Sequence, residues 1–169
     1  MSRPILGSSC ARAASAAEMR YRIDRPIRGR NGARIIGLDA GADAIVERIA
    51  HEPWGHARFL SLAERVGDAG DRGSESVSLR DTAGDVSSLL VELEDADVVI
   101  MVATTDADTA AATIVGAACT VRAIMTAALV IGDRERIGAT VATLRPHARV
   151  LMVSGDERDV VDLLTALRA

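Results

Sequence analysis

Short apolar runs alternate with longer amphipathic stretches along most of this 169-residue chain. Arg34-Ile35-Ile36-Gly37-Leu38 is brief, apolar and closed by a turn, which predicts a buried strand. Asp39-Ala40-Gly41-Ala42-Asp43 is that turn, and 44–50 predicts a helix with Ile45, Val46 and Ile49 on one side and Asp43 as its N-cap. Pro53 stops it. The segment 57–62 predicts a second strand, 66–76 an exposed loop rich in Gly, Asp and Ser, and 77–79 a short strand. A helix is expected over 81–93, carrying Val86, Leu89, Leu90 and Leu93. The strongest strand signal is 97–103, continuously apolar and β-branched, as a central parallel strand covered on both faces must be. A loop at 104–108, a long Ala-rich helix at 109–125, a strand at 127–131, a helix at 134–144 and a strand at 149–153 follow. Ser154 then caps a terminal helix over 157–168.

Strands alternating with helices predict right-handed βαβ units. The expected fold class is therefore α/β, a doubly wound, mostly parallel Rossmann-like sheet in three layers, formed by a single domain over residues 33–169. Residues 1–32 lack this periodicity and read as a flexible tail.

Composition sharpens this picture at three points. Apolar residues make up 49% of the chain but aromatics only 2%, so the core is aliphatic and Ala-rich, and base-stacking platforms for single-stranded nucleic acid are not expected. Every basic residue is Arg, which excludes a P-loop Lys and Schiff-base chemistry. Residues 1–34 carry eight Arg against Glu18 and Asp24, while the rest of the chain is acidic. An acidic body speaks against nucleic-acid binding, and the basic leader reads as a solvated tail or a contact for an acidic partner. No apolar run is long enough for a membrane span, and the leader lacks the apolar core of a secretory signal. Cys10 and Cys119 stand alone, which suits a reducing cytoplasm, with Cys119 expected as a buried small hydrophobe.

In a doubly wound sheet, ligands bind beyond the carboxyl ends of the strands near the switch in strand order. Four loops lie there: 37–43, 104–109, 132–136 and 154–157, each leading into a helix N-terminus that favours an anion. In the first, Gly37 and Gly41 stand where a phosphate would need close backbone approach, while Asp39 and Asp43 compete for the same N–H groups or hold a Mg²⁺ that bridges to phosphate. It also reads as an ordinary strand–turn–helix connection with Asp as cap. In the second, Thr104, Thr105, Asp106, Asp108 and Thr109 are able to reach a phosphate or a metal-bound water, or simply to cap the next helix. His51, Glu52 and His56 around Trp54 form a weak metal pattern without a third ligand nearby, and Trp54 covering a helix end is the plainer reading. His147 is expected to be exposed. No GxSxG, GxGxxG, P-loop or HExxH pattern fixes a nucleophile or a general base.

Three stretches together resemble the nucleotide-binding domain of FtsZ and tubulin. Ile35-Ile36-Gly37 through Val46, Arg48 and Ile49 looks like that family's opening strand, glycine loop and helix. Ala96 to Ala103, followed by 104–131, looks like its next strand, phosphate loop, long helix and strand. Ile137, Leu144 and Arg145, leading to Val150-Leu151-Met152-Val153-Ser154-Gly155-Asp156-Glu157, looks like the following helix and strand. The resemblance implies a nucleotide, GTP or another with Mg²⁺, held by Gly37, Asp39, Gly41 and Asp43 and by Thr104, Thr105, Asp106, Asp108 and Thr109. The chain departs from the family where glycine matters most. Asp39, Ala40, Ala42 and Asp43 replace most of the first glycine loop, and only Thr109 survives from the signature loop in Asp106-Ala107-Asp108-Thr109-Ala110-Ala111-Ala112. Cβ atoms there crowd a phosphate and carboxylates repel it. The expectation is nucleotide or phosphate binding without efficient hydrolysis. The alternative is a non-catalytic accessory protein that forms a homodimer or binds a partner protein. A small enzyme using Asp39, Asp106 or Asp108 is a third possibility.

Overall fold

The computed structural model describes residues 32–66 and 73–167. The expected basic leader lies outside them, apart from Gly32. Within these residues seven strands form one sheet: β1 Ala33–Gly37, β2 Arg58–Leu62, β3 Ser78–Asp81, β4 Val86–Ser88, β5 Val98–Ala103, β6 Met125–Ile131 and β7 Val150–Ser154. Their spatial order is β4-β3-β2-β1-β5-β6-β7. The five strands from β2 to β7 are parallel, and β3 and β4 extend the sheet as an antiparallel hairpin.

Among the described residues five α-helices cover the sheet: α1 Ala40–Ala50, α2 Leu89–Glu94, α3 Thr109–Val121, α4 Gly138–Leu144 and α5 Arg158–Leu167. Alternate residues of each central strand face opposite layers, so the core divides in two. Ile36, Val99, Met101 and Val130 meet α2, α3 and α4 on one face. Ile35, Ile100, Val102 and Leu129 meet α1 and α5 on the other. Every residue of β5 is buried, which explains its unbroken apolar run. The result is the three-layer, Rossmann-like arrangement that the alternation predicts.

Four local expectations are corrected. The helix expected over 81–93 is instead the end of β3, a turn, β4 and the short α2. The Asp81 carboxylate accepts from Ala83 N and Asp85 N, and Gly84 takes a φ of +93°, so the chain reverses before any helix forms. Ser88, whose hydroxyl accepts from Val91 N, is the true cap. Helix α3 ends at Val121 because Ala123 adopts a left-handed φ of 55°, which frees Met125 to begin β6. Helix α1 starts at Ala40, with Asp39 rather than Asp43 as its cap. His147 is half-buried, its Nε2 3.2 Å from Thr113 Oγ1.

At the amino ends of the strands, Glu92 is buried against Arg34, whose Nε donates to the Glu92 carbonyl at 3.0 Å. Arg58 lies 3.3 Å from Glu92 Oε1 and 3.5 Å from Asp81 Oδ2, and Ser87 donates to Oε1 at 2.7 Å. This network ties α2 and the hairpin to the parallel sheet, on the edge away from the candidate site. Burial is the main cause of a lowered Arg34 pKa, partly offset by Glu92.

Candidate functional site

The chain leaves β1 toward β2 and the hairpin, then returns to place β5 on the other side of β1. The switch point therefore lies between β1 and β5, where the loops after Gly37 and Ala103 meet, and this is where such a sheet opens a ligand crevice. Here the crevice is closed by the chain itself. Asp39, 8% exposed, accepts from Ala42 N at 2.9 Å with Oδ1. The same oxygen accepts from Thr104 Oγ1 at 2.6 Å, and Oδ2 accepts from Thr104 N at 2.6 Å. One carboxylate thus caps α1 and ties its first turn to the loop after β5. Asp108 N donates to Leu38 O at 2.9 Å and closes the two loops from behind.

The glycines serve these internal contacts. A Cβ at Gly41 would stand 2.7 Å from Thr104 Oγ1, so its absence admits the Thr104 hydroxyl. A Cβ at Gly37 would stand 2.1 Å from Asp43 Oδ1, so its absence admits the Asp43 carboxyl. The backbone approach that a phosphate would use is taken by two of the protein's own side chains.

Asp43 sits in the first turn of α1 with Oδ1 buried and without a hydrogen-bond partner. Burial, then the nearby Asp39 charge, lifts its carboxyl from the ordinary 3.8 to about 6. The fold therefore holds the Asp43 proton more tightly than the unfolded chain does. Its ionisation costs stability as pH rises from 3.8 through about 6, and none of that cost applies at lower pH. Asp43→Asn is expected to raise the melting temperature at pH 8 by roughly 3–5 °C, a gain on the order of 1 kcal/mol for a half-exposed group. That difference shrinks toward zero by pH 4. Calorimetry of both proteins at the two pH values checks it, and an equal offset at both would contradict the assignment.

The second candidate loop is split by the fold. Asp108, 6% exposed, caps α3 by accepting from Ala111 N at 2.9 Å, and its other oxygen accepts from Val66 N at 2.8 Å. It thereby ties α3 to the segment after β2. Asp106 is exposed, and its carbonyl accepts from Arg65 Nη2 at 2.8 Å. Thr109 is exposed, its carbonyl used by Thr113 Oγ1, and Thr105 is half-buried. The fold brings together Gly37, Asp39, Gly41, Asp43 and Thr104, and leaves Thr105, Asp106, Asp108 and Thr109 outside that cluster.

Beyond Asp43, a cleft of about 310 Å³ runs between α1 and the hairpin, lined by Glu47, Phe59, Ser61, Arg80 and the turn at 82–84. Sequence reading misses it because the hairpin reads as helix. The cue is the turn Asp81-Thr82-Ala83-Gly84-Asp85, which folds β3 back on β4 with Arg80 opposite Val86, while the pairing of β3 with β2 sets Arg80 opposite Ser61. Trp54 Nε1 donates to Ile49 O at 2.8 Å and its ring lies 6.0 Å from Phe59, so it covers the end of α1. Cys119 is buried, and burial pushes its thiol up to about 11. Among the described residues no three His, Cys, Asp or Glu side chains gather to hold a metal ion, and no helix is long and apolar enough to cross a membrane.

Neither a known protein-family model nor any curated protein matches the chain in sequence.

Proposed function

We propose that this domain is a non-catalytic interaction protein on a Rossmann-like frame, acting through association with itself or a partner. The observation that carries this reading is the Asp39 carboxylate, which occupies Ala42 N, Thr104 N and the Thr104 hydroxyl, three donors facing the position a phosphate group would take at the switch point. A ligand phosphate there would have to displace an anion that is covalently part of the chain and pre-placed, and would meet Asp43 behind it. Asp108 fills the other helix N-terminus in the same way. On this reading the FtsZ/tubulin resemblance describes the frame, and its phosphate loops have become internal fastenings.

Nucleotide binding at the same loops is the competing reading, and thermal shift separates the two. A nucleotide at one hundred times its dissociation constant would add roughly 2.7 kcal/mol of stability, a shift of several degrees. With millimolar GTP or ATP and Mg²⁺, the expected shift in the wild-type protein is under about 1 °C. A saturable shift of several degrees would replace this proposal by the nucleotide reading.

A further inference from the structure

The two edges of the sheet are finished differently. On one side β4 spans only Val86–Ser88 and runs straight into α2, whose first residue donates back to Val77 O. A short edge of this kind offers little to an incoming strand. On the other side β7 is a five-residue edge strand, Val-Leu-Met-Val-Ser, with no charge, no Pro and no bulge. Its pairing with β6 puts Val150 beside Ala127 and Met152 beside Leu129, on the face that carries α1 and α5. There Val150 is 46% and Met152 36% exposed, and Met125 on the neighbouring strand is 50% exposed. Helix α5 buries Val160 and Leu164 against the sheet, and among the described residues this row is left uncovered. An uncharged open edge flanked by apolar side chains is a template for strand addition, which monomeric proteins normally block with charge or Pro.

The charge around the strand indicates the occupant. The amino end of β7 follows Arg145 and Arg149, whereas its carboxyl end leads into Asp156, Glu157 and Asp159, with Arg158 as the one base among them. Glu157 is also paired with Arg48 of the same chain. Side-by-side parallel packing of two such strands would set like charges together. Antiparallel packing about a two-fold axis at Met152 sets Arg149 of each copy opposite Gly155 of the other, one residue from Asp156.

Building on the interaction reading above, we propose that β7 is a self-association edge, pairing antiparallel with β7 of a second copy to extend the sheet through both. The ladder satisfies the free backbone groups of β7, and the Met125, Val150 and Met152 rows of the two copies meet beside the axis.

The test is the mass of the full chain in solution, by light scattering after size exclusion at about 100 µM, a concentration at which even weak dimers populate. The wild type is expected at twice its 17.7 kDa chain mass. Met152→Lys, which puts a charge on a side chain already open to solvent, is expected at the single mass with its far-UV circular dichroism unchanged. In a Cys10→Ser background, Met152→Cys is expected to form a disulfide-linked dimer on mild oxidation, while Val86→Cys at the opposite edge does not. A monomeric wild type overturns the proposal, as would hold if another segment of this chain covered the edge. A dimer that survives Met152→Lys and cross-links through position 86 also overturns it, but leaves the interaction reading standing. The nucleotide result alone decides against that reading, so the two failures are distinguishable.

Discussion

Asp39→Ala is expected to destabilise the domain by about 3 kcal/mol and, at the same time, to create an anion-binding site that the wild type lacks. Three donors lose their acceptor at once: Ala42 N, Thr104 N and Thr104 Oγ1. Hydrogen bonds to a charged group are each worth roughly 1.5–3 kcal/mol and do not add fully when they share one acceptor. Relief of the Asp39–Asp43 repulsion returns part of the loss. The vacated position is a helix N-terminus with an N–H and a hydroxyl facing it, the arrangement that attracts phosphate and sulfate. At an anion concentration ten times its dissociation constant, binding restores about 1.4 kcal/mol. Melting temperatures of both proteins in sodium phosphate against sodium chloride of equal ionic strength check this. General salt stabilisation raises both proteins alike, so the signal is the extra gain of the variant. Equal phosphate responses would show that Asp39 does not stand in for a ligand anion, and would remove the main support for the interaction reading.

Asp108→Ala is expected to cost about 2–3 kcal/mol, whereas Asp106→Ala and Thr109→Ala stay within about 0.5 kcal/mol of wild type. The helix cap alone is worth about 1 kcal/mol. The rest comes from Val66 N, a buried donor left without an acceptor, at about 1–3 kcal/mol before relaxation. Urea denaturation of the three variants measures these differences. The contrast matters because all three residues are equivalent candidates in the sequence. If Asp106 or Thr109 proved as costly as Asp108, the loop would be doing work that its exposed side chains do not account for.

What the sequence determined by itself is the class of fold and the two-layered core. A strand covered on both faces has to be apolar throughout, as 98–103 is, and a helix packed on one side has to be apolar at helical spacing, as Ile45, Val46 and Ile49 are. Those constraints are local, so they can be read one segment at a time. The candidate loops were legible for the same reason, since a strand followed by a helix locates them without knowledge of strand order. Tertiary structure alone decided what the loops do. Asp39 and Thr104 lie 65 residues apart, and only the placement of β5 beside β1 turns a carboxylate that looked able to hold Mg²⁺ into an internal acceptor. The cap shifts from Asp43 to Asp39 because the extended backbone of Asp39, at φ −155°, aims its oxygen at Ala42 N. Asp43 Oδ1 is then left buried facing Gly37 with no donor to meet it. The hairpin, and with it the cleft and the contrast between a short edge and an open one, depends on a turn whose residues equally suit the start of a helix. The pairing of β3 with β2, which local periodicity does not encode, decides between them.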